Sequence, residues 1–321
     1  MLAQMRALAI TAFALSLVMA CAAAPPRVFT CPETAPAAAT AEEPAIPPED
    51  EALRRWKAIV ATADKAPPPG TSAASFVPEL LAYLASPDPT RRDGIAFEVF
   101  ARWLDAKTLA DAEVHELARR LLENLEGPLD APAGVFRRSF SVLVLGEVVR
   151  RDRKAPLLSD DERRRILRVA RAYAARETDL RGHTGATGWA HAAAHTADLL
   201  ARLAQVPAFD DTDRALILDA VASFVVRRHG QILAHGEDGR LATSVIAAAR
   251  AGVSEQALDA WLAALKAPLV ERGGATFDAG LYAAQRNVRN LLFTLFVHGS
   301  TAASPSPGER VLFEKVRALL G

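Results

Sequence analysis

Asp111-Ala-Glu-Val-His-Glu-Leu-Ala-Arg-Arg-Leu-Leu-Glu-Asn-Leu-Glu126 sets apolar side chains at Val114, Leu117, Leu121 and Leu122, the i, i+3, i+7, i+8 recurrence of one buried helix face. Asp111 is placed to cap its first turn. The same period runs outward in both directions. Upstream, Leu53, Trp56, Ile59 and Val60 mark a helix from Glu51 that Pro67-Pro-Pro-Gly70 stops. Phe76, Leu80, Leu81 and Leu84 mark a second helix, ended by Pro87 and Pro89. Ile95, Val99, Phe100, Trp103 and Leu104 mark a third over 90–106.

Downstream, Phe136, Phe140, Leu143, Val144 and Val148 make an unusually apolar helix, expected at the centre of the fold. Ser159-Asp-Asp-Glu162 is a capping box that starts a helix running to about Glu177. Further helices are expected over 188–205, from Asp211 through Leu216, Ile217, Val221 and Val225, over 240–251 and 254–266 around Gly252, and over 281–298 and 309–320 around Pro305 and Pro307. No alternating β-branched run and no Asn-Gly hairpin interrupts them. The expected fold is all-α: one domain over 51–321, a curved array of antiparallel helix pairs, solenoid-like or an α/α stack, with no sheet. No fixed-period motif of the familiar repeats is visible. Composition agrees, since half of the residues are hydrophobic but only 6% aromatic and alanine is abundant, which favours closely packed helices over a β-sandwich.

Thirty-eight basic and 38 acidic residues cancel, so no global field draws nucleic acid, and no nucleic-acid partner is expected. Arg6 precedes an apolar run over 7–20, a secretory signal pattern shorter than the ~20 residues of a membrane span. Leu17-Val18-Met19-Ala20-Cys21 resembles a bacterial lipobox, although Met19 is larger than the residue usual there. The organisation expected is a signal peptide over 1–20, lipid on Cys21, and an Ala/Pro-rich tether over 21–50 too poor in large apolar residues to offset the entropy of ordering. Lipid would place the chain at a membrane of the cell envelope, facing the periplasm. Ala22 stands where inner-membrane retention uses aspartate, which points to the outer membrane. With Cys21 modified, Cys31 has no partner and the body carries no disulfide.

Arg181-Gly-His-Thr-Gly-Ala-Thr-Gly-Trp-Ala-His-Ala-Ala-Ala-His-Thr-Ala-Asp198 concentrates the polar chemistry. On a helix over 188–205, His191, His195, Asp198 and Arg202 fall on one stripe, opposite Trp189, Ala193, Leu200 and Leu203. Three readings fit. The stripe is a solvated face, or a metal-free network in which His191 or His195 binds ligand or moves protons, or a divalent-metal site with His191, His195 and Asp198 as ligands. Residue 192 is alanine where a zincin helix carries its glutamate, so the protease motif is absent and no cofactor is predicted. The glycines over 182–188 permit a tight turn. Without a Lys-Ser/Thr pair or a preceding strand they do not make a P-loop, though Arg181 could assist an anion at the helix start. His229, His235, Glu237, Asp238 and Arg240 form a second cluster, expected in an exposed loop. Gln285 to Asn290, including Asn287, forms a third, which must find partners beside a strongly buried helix.

Taken in order and spacing, Arg181-Gly182, Gly188-Trp189-x-His191-x3-His195-x2-Asp198, Glu237-Asp-x-Arg240-Leu241 and 287–296 resemble the bacterial domain-of-unknown-function 2785 family, with similarity over roughly 51–321 that is sharpest over 181–296. Gly239 departs from the acidic residue of that pattern, and the final apolar helix is less aromatic. The resemblance implies a helical protein and no particular reaction, substrate or cofactor. It does imply a grouping: His191, His195, Asp198, Glu237 and Arg240 converging in one pocket, with Arg181, Trp189, Asp238 and Asn287 about it. The function expected is a lipid-anchored binding or scaffold module for a peptide, glycan or envelope protein. The alternative is a metal-dependent envelope hydrolase with Glu237 as base.

Overall fold

Helix ends in this chain are set by local capping chemistry. In the computed structural model, which describes residues 44–129 and 134–321, Ser159 Oγ accepts the Glu162 N–H at 3.3 Å while the Glu162 carboxylate accepts the Ser159 N–H at 2.7 Å. That reciprocal pair opens α6 (Asp160–Arg176). The other helices are α1 (Glu51–Val60), α2 (Val77–Tyr83), α3 (Glu98–Ala106), α4 (Asp111–Glu126), α5 (Gly134–Lys154), α7 (Ala192–Leu203), α8 (Asp211–Val226), α9 (Glu237–Arg250), α10 (Glu255–Val270), α11 (Ala279–Thr301) and α12 (Pro307–Leu320). A 3₁₀ turn over Ala73–Phe76 leads into α2, and a π-helical stretch over Thr90–Phe97 leads into α3. The signal segment, Cys21, Cys31 and the tether up to residue 43 lie outside the described residues.

Four boundaries differ from expectation. Asp111 is the first helical residue of α4 rather than its cap, and Glu113 accepts the Ala110 N–H at 2.7 Å instead. α1 ends at Val60, well before the proline run. α9 begins at Glu237, so the second polar cluster is a helix start and not an open loop. α7 begins at Ala192 rather than 188, because Gly188 and His191 take left-handed conformations, with φ of 73° and 50°. The segment before α7 folds back on itself through an isolated bridge between His183 and Trp189.

Residues Pro44–Gly321 form one unit built in two layers. α5, α7, α9 and α11 lie side by side in one, and α4, α6, α8, α10 and α12 in the other. From α4 onward each helix touches its neighbour in sequence across the layers and the next but one within its layer, the pattern of an all-α array of helix pairs. No strand occurs among the described residues. The core runs between the layers, with Trp56, Phe100, Trp103, Phe136, Phe140, Tyr173 and Phe224 fully buried. α5 is central, as its composition predicts.

α7 is enclosed on both flanks. α5 and α9 sit either side of it and nine of its twelve residues are buried, so alanines at 192, 193, 194 and 197 let the neighbouring backbones approach closely. Ser244 of α9 donates to the Ala197 carbonyl at 2.8 Å across one of these contacts. On the other side, the Arg202 guanidinium crosses α5 over Gly146 to reach Glu147 at 2.8 Å, and a Cβ at Gly146 would meet it at 2.7 Å. The loop preceding α7 is anchored by a buried bidentate pair: Arg138 of α5 donates to both carboxylate oxygens of Glu177, at 2.7 and 3.0 Å. Glu177 also accepts the N–H groups of Thr178 and Asp179.

Candidate functional site

Residues 181–191 fold into a tight loop whose own carbonyls take up its N–H groups: Ala190 donates to Gly182, His191 to Arg181, and Thr184 to Gly188. A Cβ at Gly182 would lie 2.4 Å from the His235 ring, so only glycine lets the segment entering α9 lie against this loop. From below, Arg92 fixes the loop. Its guanidinium is fully buried, donates to Thr187 O at 2.9 Å, pairs with Asp93 at 2.8 Å, and lies over the rings of Phe136 and Phe140 at 4.2 and 4.8 Å.

The loop delivers His191 to the start of α7 in a backbone region that costs a non-glycine residue about 1–3 kcal/mol and tends to occur at functional sites. Its ring stacks on Trp189, with centroids 4.2 Å apart and planes 29° from parallel. His183 and His235 meet the same indole edge-on at 4.8 and 5.9 Å, leaving Trp189 39% exposed. This corrects the expectation of Trp189 as a core residue, because the loop turns it outward before the helix begins.

Behind the histidine sits Glu237, 1% exposed. One carboxylate oxygen accepts the His235 N–H at 2.7 Å; the other lies 3.6 Å from His191 Nε2, too far for a hydrogen bond. His191 Nε2 is buried and finds no hydrogen-bond partner. Burial pulls the His191 pKa down, the charge of Glu237 opposes it, and Arg240 lowers it further. Burial thus favours the neutral imidazole, whose Nε2 lies beside a carboxylate and beneath an exposed aromatic face.

His195 lies one turn further in, 5.8 Å from His191 ring to ring. It is 7% exposed, holds Ser139 O through Nδ1 at 3.2 Å and meets the Phe140 ring edge-on. Burial pushes its pKa down to about 3. Asp198 pairs with Arg240 of α9. α5 and α9 enclose the stripe unevenly: His195 is buried, while His191, Asp198 and Arg202 are half-buried. Among the described residues no group of three or more His, Cys, Asp or Glu is placed to hold a metal ion.

The structure brings Trp189, His191, His195, Glu237, Asp198 and Arg240 into one contiguous cluster where α7 meets the start of α9. The remaining expected residues serve other ends. Arg181 pairs with Asp179 at 2.6 Å. Asp238 accepts the Thr294 hydroxyl of α11 at 2.6 Å. Asn287 is 1% exposed and clamps the loop before α9, accepting from Leu233 N and donating to Gln231 O. Arg92, Ser139 and the Arg138–Glu177 pair escaped the sequence reading because no local pattern distinguishes them from surface residues. His183 lay in the quoted stretch, and the turn at Gly185 was the one hint that it folds back on Trp189.

An all-α array with an imidazole-rich cluster at one end of a central helix is the class that this fold and site define. Over residues 121–297, from α4 through most of α11, the chain matches the model of the family described as Protein of unknown function (DUF2785), and it belongs to that family. No curated protein and no solved structure matches it.

Proposed function

We propose that this chain is a binding module of the cell envelope whose recognition surface is the Trp189 face, ringed by His183, His191 and His235 and backed by Glu237. One observation carries the reading: His191, held in a left-handed conformation against Trp189, keeps a buried ring nitrogen unpaired 3.6 Å from a carboxylate that is itself buried. An unmet hydrogen-bonding atom beside a buried acid is costly in a purely structural role. Next to an exposed indole it suits a neutral polar ligand with one apolar face, such as a sugar ring or a peptide side chain. The Arg6-led apolar run and the Leu17–Cys21 pattern support export and lipid attachment at Cys21 as part of the same proposal. The metal-dependent alternative draws no support from the donor geometry.

Thermal-shift screening of the wild-type chain against oligosaccharides and short peptides tests this reading. A ligand of either class should raise the melting temperature, and the shift should vanish in Trp189→Ala and Glu237→Gln variants that keep the wild-type helical circular dichroism. Hits that survive both substitutions, or no hit in either class, would refute it.

A further inference from the structure

A second surface has no part in that site. Tyr282, Arg286, Arg289, Phe293, Phe296 and Val297 are all exposed on α11, and their spacing confines them to an arc of about 100° of the helix. Most of the exposed large apolar side chains of the described residues lie within 270–297, Phe293 at 54% and Phe277 at 78% among them. Phe277 extends the stripe, its ring 5.6 Å from that of Tyr282. Scattered exposed apolar residues need no explanation, but a contiguous patch of them does.

The charge of the stripe selects its occupant. The 23 residues of α11 include no Asp or Glu, and Arg286 and Arg289 make no ion pair with any described residue. Two copies meeting through a two-fold axis would set these guanidiniums against one another at the middle of the contact, with no carboxylate on the helix to offset them. Arginines flanked by aromatic and aliphatic side chains along one helix face are a composition suited to helices that lie in a membrane interface. There the rings enter the headgroup boundary and the guanidiniums meet anionic phosphates. No helix among the described residues is long and apolar enough to cross a membrane, so the contact would be peripheral. We infer that α11 docks its Tyr282–Val297 face on an anionic phospholipid surface. The inference rests on this stripe alone and is independent of the ligand reading.

The test measures how deeply position 296 enters a bilayer. Full-length Phe296→Trp protein is mixed with vesicles carrying brominated acyl chains, made either of phosphatidylcholine alone or with phosphatidylglycerol, and the wild-type emission is subtracted. The added tryptophan should be quenched on the anionic vesicles, and Arg286→Gln with Arg289→Gln should remove most of that quenching. Co-sedimentation of each variant with the same vesicles separates loss of insertion by the α11 face from loss of all binding. An unquenched tryptophan overturns the inference, as does equal quenching on phosphatidylcholine alone. Sedimentation that shows a dimer split by Phe293→Ser would assign the face to a second copy instead.

Discussion

Replacing His195 by asparagine should make the fold less stable at neutral pH yet less sensitive to acid. In the native protein the imidazole is shut between α5 and α7, 7% exposed, and burial lowers its pKa from 6.5 to about 3. The unfolded chain titrates that group at 6.5, so below this pH it takes up a proton that the folded state refuses. The stability contribution is therefore lost as pH falls through 6.5, and the loss continues until about pH 3, where the folded state protonates too. Between pH 7 and pH 5 a single group of this kind destabilises the fold by about 2 kcal/mol. The figure depends little on the folded value as long as that value stays well under 5. The asparagine side chain of the His195→Asn variant presents an amide donor to Ser139 O and cannot titrate, but it forfeits the edge contact with Phe140, for a deficit of about 1–3 kcal/mol at pH 7. Urea unfolding of both proteins at pH 7, 6 and 5 measures the difference. The deficit of His195→Asn should shrink by about 2 kcal/mol across that range. His191 and His229 are also shifted down by burial, but they are present in both proteins and cancel. Parallel curves would refute the reasoning, since they would mean that His195 protonates in place.

Two further substitutions test the supports of the site. Glu177→Gln leaves the Arg138 guanidinium buried without its counter-charge and should cost about 3–5 kcal/mol in urea unfolding; a loss under 1 kcal/mol would mean that the pair is hydrated. Gly182→Ala sets a methyl 2.4 Å from His235 and should cost about 1–3 kcal/mol while abolishing the ligand shifts expected of the Trp189 surface. Retention of both wild-type stability and those shifts would show that the loop can move aside freely.

The helices were legible because their causes are local. Apolar spacing in 111–126, the Ser159–Glu162 box, and glycine and proline at the breaks act within a turn or two of the residue concerned, so each element could be read without its neighbours. The family pattern is legible too, and it groups His191 and His195 with Glu237 and Arg240. The sequence could not tell which side of α7 meets solvent. A helical wheel assumes one wet face, whereas α7 has α5 and α9 on its two sides, and this enclosure buries His195 and pairs Asp198 with Arg240. Trp189 moved from core to surface for a related reason: the backbone turns left-handed at Gly188 and His191, and the loop folds back on itself before the helical phase begins. Residues near in sequence thus determined the elements of this protein, their order and the chemistry available to them. Only the packing of three helices decided which of those side chains are buried, which face each other, and which ring nitrogen is left without a partner, because those outcomes depend on neighbours about forty to sixty residues away.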